Sequence, residues 1–166
     1  MKRFALIFTM FAVASLAAGA AVAQKKADEK LSAEAARGKY LVKIAGCNDC
    51  HTPGYATSGG KVEEKLWLTG DQLGFRSPWG TTYGSNLRLL VQNMTADQFM
   101  KYARTEFRPP MPWFNLRDMS DRDVKAIYAY VKHLGPSGRP APPYVPPDQK
   151  PGGPFVQFPA PPDAKW

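Results

Sequence analysis

Both cysteines of the chain and one of its two histidines fall within five residues, Cys47-Asn48-Asp49-Cys50-His51. No other feature restricts the fold as much, because the flanking segments must bring two thiols and an imidazole to one place. The segment before them is legible as a helix. Ser32 is a good N-cap, and the run AEAARGKYLVKIAG that follows carries Ala36, Tyr40, Leu41 and Ile44 at helical spacing. That helix is expected to end at Gly46, directly before Cys47.

Two further helices follow from local chemistry. Thr95 with Gln98 three residues on forms a capping box, Phe99, Tyr102 and Ala103 line one face, and Pro109-Pro110 forbids continuation. Ser120 with Asp123 three residues on opens the last helix. Its stripe is Val124, Ile127, Tyr128, Val131 and Leu134, and Gly135-Pro136 stops it. Residues 61–92 are rich in Gly and aromatics without a strong period, and are read as loop with one short helix near Asn86 to Val91. No βαβ pattern appears.

The ends differ from the middle. Lys2 and Arg3 are followed by a charge-free stretch from Phe4 to Ala23, which closes on Ala21-Val22-Ala23 before the polar Gln24-Lys25-Lys26. That is the layout of a secretory signal peptide over residues 1–23; the competing reading is an uncleaved membrane anchor. Its removal leaves 143 residues and lowers the formal charge from +8 to +6, a size for one domain. Residues 24–30 read as a flexible lead-in, residues 31–135 as the globular domain, and residues 136–166, with 11 of the 16 prolines, as an extended polyproline-like tail. Charges are scattered and no basic run alternates with aromatics, which excludes a nucleic-acid partner.

Four arrangements use two thiols and an imidazole at this spacing. A Cys47–Cys50 disulfide would close a very small ring with little entropic benefit, and leaves His51 idle. A zinc site needs four ligands, and the chain offers only these three and the distant His133. A thioredoxin-like couple needs a βαβ context that is missing. Covalent haem attachment employs all three residues: both thiols add to the haem vinyl groups, and the histidine after the second thiol ligates iron.

The stretch RGKYLVKIAGCNDCHTP resembles the start of a class I c-type cytochrome, and PPMPWFNLRDMSDRDVKAIYAYVKHL, a Met-Pro loop followed by a final helix, resembles its end. The style is that of bacterial single-haem cytochromes and of the cytochrome domains of periplasmic dehydrogenases. The resemblance covers roughly residues 31–135, is loose over 55–80, and leaves the tail out. It implies an all-α class, a small cytochrome c fold of three to five helices wrapped round one covalently bound haem c, serving as an electron carrier.

The second axial ligand separates a carrier from a catalyst. Beyond residue 23 the methionines are Met94, Met100, Met111 and Met119. Met94 and Met119 stand where a hydrophobic staple to Phe99 and to Val124 is expected, and Met100 lies inside a helix. Met111, in Pro109-Pro110-Met111-Pro112, has no helical role, and the prolines stiffen the loop that presents its thioether. The resemblance points to the same residue. His133, near the end of the last helix, is the runner-up ligand. The cofactor-binding set is therefore Cys47, Cys50, His51 and Met111, with iron on His51 and Met111.

Three supporting expectations complete the reading. Gly38 with Tyr128 and Tyr130 marks a close crossing of the first and last helices. The segment Pro78-Trp79-Gly80-Thr81-Thr82-Tyr83, with Asn86 and Arg88, borders the haem propionates, and Trp113 and Phe114 wall the pocket. The tail is either a strap on the domain or a docking arm for a partner. The expected function is periplasmic transfer of single electrons, to or from a dehydrogenase or a terminal oxidase, without enzymatic catalysis. Two rivals stand beside it: a haem enzyme or gas sensor with an open sixth site, and an electron-accepting subunit bound to a periplasmic dehydrogenase. Membrane association follows only if the N-terminal segment stays uncleaved.

Overall fold

The structure, a computed structural model, describes residues 31–159. The signal-peptide and lead-in readings of residues 1–30, and the last residues of the tail, lie outside the described residues. Among these there are six α-helices, one short 3-10 turn and a three-stranded sheet. The all-α expectation is corrected on this point: the helices are there, and a small sheet accompanies them.

Helix α1 (Ala33–Ile44) begins where Ser32 accepts a hydrogen bond from the Ala35 amide, and Gly46, in the left-handed region at φ 71°, turns the chain into α2 (Cys47–His51). After the 3-10 turn Glu64–Leu66 come strands β1 (Gly74–Ser77) and β2 (Gly80–Tyr83), an antiparallel hairpin in which Ser77 pairs with Gly80 across Pro78-Trp79. Helix α3 (Leu87–Gln92) is capped by Asn86. Helix α4 (Ala96–Ala103) carries the full Thr95/Gln98 capping box, α5 (Trp113–Asp118) follows the proline loop, and α6 (Asp121–Leu134) starts at Ser120. Strand β3 (Phe155–Gln157) comes from the tail and joins β1 in parallel, so the sheet order is β2-β1-β3.

The core lies where α1 crosses α6 and where α3 and α4 pack on α6. Val42, Leu68, Val91, Val124 and Val131 are fully buried there. Gly38 permits the crossing, because a Cβ at that position would lie 1.9 Å from the Ala126 carbonyl oxygen. The buried face of α1 is Ala35, Gly38, Leu41 and Val42, so the expected stripe is corrected: Ala36 is exposed, and Tyr40 and Ile44 are 58% and 60% exposed. Close approach at a glycine turns the helix by one row of residues, and glycine adds nothing to an apolar pattern. The crossing is laced at its edge. Tyr130 donates to Glu64 at 2.9 Å, Lys39 pairs with the same carboxylate at 2.5 Å, and Arg37 pairs with Asp123 at 2.5 Å.

Arg88 is buried and holds the end of α6. Its Nε donates to the Gly135 carbonyl at 2.6 Å, one terminal nitrogen to Leu134, and the other to Lys65 at 2.6 Å. These are carbonyls that a helix end leaves without partners, answered by a cation on the side the helix dipole favours.

Candidate functional site

Helix α2 is too short to stand alone and is held by its surroundings. Thr52 Oγ1 donates to Asn48 Oδ1 at 2.7 Å and accepts from the Leu68 amide at 2.8 Å, both in the interior. The Gly70 amide donates to the His51 carbonyl at 2.8 Å. Gly84 lets the end of the hairpin lie against α2, since a Cβ there would sit 1.8 Å from the Cys50 carbonyl oxygen. That approach sets the neighbouring Ser85 carbonyl, which accepts a hydrogen bond from His51 Nδ1 at 2.7 Å. The tautomer is thereby fixed: Nδ1 carries the proton and Nε2 keeps its lone pair.

A cavity of about 310 Å³ opens beside α2. Cys47, Cys50, His51 and Met111 all line it, although Met111 is far from the others in sequence. Much of the remaining wall is apolar, with Phe75 from β1, Leu87 from α3, Phe99 and Ala103 from α4, Leu116 from α5 and Ile127 from α6. Burial pushes the Cys47 thiol up to about 11 and raises that of Cys50 as well, so both stay protonated and neutral at physiological pH. Burial also lowers the basicity of the His51 imidazole, against a smaller opposing effect of its bond to Ser85, and favours the neutral ring.

The proline loop is tied down beside this cavity. Thr82 Oγ1 donates to the Pro109 carbonyl at 2.8 Å, and the Trp113 amide donates to the Met111 carbonyl at 2.9 Å. Met119 also reaches the cavity wall, a second thioether that its staple position had concealed. Of the residues expected to border the haem propionates, Thr82 and Tyr83 line the cavity, whereas Pro78, Trp79, Gly80, Thr81, Asn86 and Arg88 do not: Asn86 donates to the Ser137 and Arg139 carbonyls, and Arg88 is occupied at the end of α6. Trp113 and Phe114 are likewise off the wall. Trp113 sits under the Arg117 guanidinium, Phe114 is 48% exposed, and α5 turns Asn115 and Leu116 inward in their place. His133 is not on the cavity. Sequence reasoning missed Pro142 and Tyr144 of the tail, which line the same cavity.

These residues fit a covalently held haem. Neutral thiols on an apolar wall suit addition to vinyl groups, which yields uncharged thioethers. A neutral imidazole with Nε2 free suits iron, and a thioether is present on the same cavity. Among the described residues no group of three or more His, Cys, Asp or Glu side chains is placed to hold a metal ion, and His133, the fourth ligand that the zinc alternative would need, is not on the cavity.

Known proteins agree. The chain is 33% identical over 128 residues to the cytochrome c subunit of a quinone alcohol dehydrogenase from Gluconobacter oxydans (strain 621H), covering 69% of this chain and 23% of that protein. It is 32% identical over 106 residues to the fructose dehydrogenase cytochrome subunit of Gluconobacter japonicus, over 57% of this chain and 20% of that one. It is 29% identical over 127 residues to the gluconate 2-dehydrogenase cytochrome c subunit of Pantoea cypripedii, over 69% and 25% respectively. The chain thus spans about a quarter of the length of these relatives. No solved structure matches. The family described as cytochrome C oxidase, cbb3-type, subunit III matches residues 33–131, the span that runs from α1 through the cavity-lining loop into α6. The chain belongs to that family of c-type cytochrome domains, and its cofactor is haem c, for which Cys47, Cys50 and His51 form the attachment motif.

Proposed function

We propose that this chain carries single electrons on one haem tethered by Cys47 and Cys50 and ligated by His51 and Met111, and that it does so as the cytochrome of an exported dehydrogenase. The observation that carries the reading is that one cavity gathers all four residues, with His51 Nε2 left free by the Ser85 carbonyl. Iron in such a haem supplies a one-electron couple, and thioether ligation favours a raised potential. The chain's residues contribute grip and shelter. The two cysteines would tether the ring to α2, His51, oriented by Ser85, would hold the iron, and the apolar wall would keep water away. Dehydrogenase partnership is supported by the relatives, each named as a cytochrome subunit of a dehydrogenase. Export to the periplasm is supported by the signal-like composition of residues 1–23. Among the described residues no helix is long and apolar enough to cross a membrane.

Met119 is the competitor for the role of thioether ligand, because it lines the cavity too. The test compares Met111→Ala with Met119→Ala in haem-loaded protein. Met111→Ala is expected to abolish the thioether-to-iron absorption band of the ferric form and to lower the potential on the order of 100 mV, within the roughly 0.8 V that axial ligands span. Met119→Ala is expected to keep the band. Retention of band and potential in Met111→Ala contradicts the assignment.

A further inference from the structure

The tail lies beyond residues 33–131 that the family accounts for, yet Pro142 and Tyr144 line the cavity. We infer that Tyr144 is a positioning residue of the haem site: it holds the Met111 loop through Arg108 and closes one side of the cavity. The inference rests on the haem reading above.

Its basis is a chain of contacts from sheet to tail to loop. Val145 and Thr81 exchange both backbone hydrogen bonds, at 2.7 and 3.0 Å, so the tail is fastened to β2. Tyr144 itself donates from its hydroxyl to the Trp79 carbonyl at 2.8 Å. Gly80 makes this docking possible, because a Cβ there would lie 2.5 Å from the Val145 carbonyl oxygen and 2.7 Å from the Tyr144 ring. The ring so anchored stands 4.1 Å from the Arg108 guanidinium carbon, a cation–π contact of close geometry. Arg108 immediately precedes Pro109-Pro110-Met111-Pro112, and its carbonyl accepts from the Met111 amide at 3.3 Å. The loop is therefore held twice, by Thr82 on the Pro109 carbonyl and by Tyr144 on Arg108, and Thr82, Arg108 and Tyr144 all border the cavity.

The rest of the tail bears a strap and not a free arm. Arg76 donates to the Gln149 carbonyl at 2.6 Å, the Phe158 amide to the Arg76 carbonyl at 2.7 Å, and the Gly74 amide to the Pro154 carbonyl at 2.9 Å. A segment awaiting a partner would leave these groups to water. Here they extend the sheet of the domain that carries the site.

The experiment uses the haem-loaded full chain and four variants: Tyr144→Ala, Tyr144→Phe, Arg108→Gln and, as a control elsewhere on the tail, Phe155→Ala. The readouts are the rate of carbon monoxide binding to the ferrous form and the thioether-to-iron band of the ferric form. Tyr144→Ala and Arg108→Gln are expected to speed binding about two- to fivefold, as befits loss of one exposed cation–π contact, and to weaken the band. Tyr144→Phe, which keeps the ring but gives up the hydroxyl bond to the Trp79 carbonyl, should fall between wild type and Tyr144→Ala, and Phe155→Ala should match wild type. If Tyr144→Ala fails to fold, the surface variant Arg108→Gln decides by the same readouts. Wild-type kinetics and band in Arg108→Gln and in any folded Tyr144→Ala overturn the inference alone; wild-type protein without haem overturns the reading beneath it.

Discussion

A Cβ on Gly38 would sit 1.9 Å from the Ala126 carbonyl oxygen and 2.8 Å from Tyr130 Cβ, so Gly38→Ala sets two effects against each other. Helix propensity gains about 1 kcal/mol. Overpacking of a helix crossing costs about 1–3 kcal/mol, and backbone cannot rotate aside. The expected result is net loss of stability, by up to about 2 kcal/mol, read from urea unfolding. Glu64 beside the same crossing gives a pH signature. Burial opposes its ionisation, but hydrogen bonds from Lys39 and Tyr130 prevail and hold its carboxyl below the usual 4.5. A group whose folded pKa is depressed contributes stability above its unfolded pKa and loses that contribution as pH falls through the folded one. Glu64→Gln should therefore flatten the stability profile below about pH 4.5 while the slope at neutral pH stays as it was. At this scale sequence reading succeeded where chemistry is local to the residue. Gly38 was legible as a close crossing. The outward turn of Tyr40 and Ile44 was not, because the row that α1 buries is led by alanine and glycine, which carry little apolar signal.

At the scale of elements, the caps were the legible part. Ser32, Thr95 with Gln98, and Ser120 each accept the amide that their spacing foretold, because a cap is settled within four residues. The sheet was hidden for the opposite reason. Strands of three and four residues are too short for a period-two pattern to stand out, and β3 joins β1 from the far end of the chain. Arg88 shows how a residue suited to one role takes another. Its guanidinium answers carbonyls of Lys65, Leu134 and Gly135, so Arg88→Met should leave buried acceptors unpaired and lower stability by about 2–4 kcal/mol in urea titration. The visible spectrum of the folded variant should not change. A shifted spectrum and potential would return Arg88 to the propionate role that its composition first suggested.

At the scale of the whole described chain, the cavity is assembled from distant segments: α2 supplies two thiols and an imidazole, the proline loop a thioether, the hairpin and α3 to α6 an apolar wall, and the tail a closing edge. Cys47, Cys50, His51 and Met111, which share the cavity, were legible because each belongs to a short motif with its own chemistry. The remainder of the wall was not, since Tyr144, Met119 and Leu116 reach the cavity only through packing between distant segments. Everything functional depends on haem being joined to this polypeptide through Cys47 and Cys50. The most direct test is mass spectrometry of the denatured, reduced protein, purified from cells competent for haem attachment. The mass should equal that of the polypeptide plus one haem, and the increment should disappear in the Cys47→Ala, Cys50→Ala double variant. A wild-type mass equal to the bare polypeptide would contradict the account.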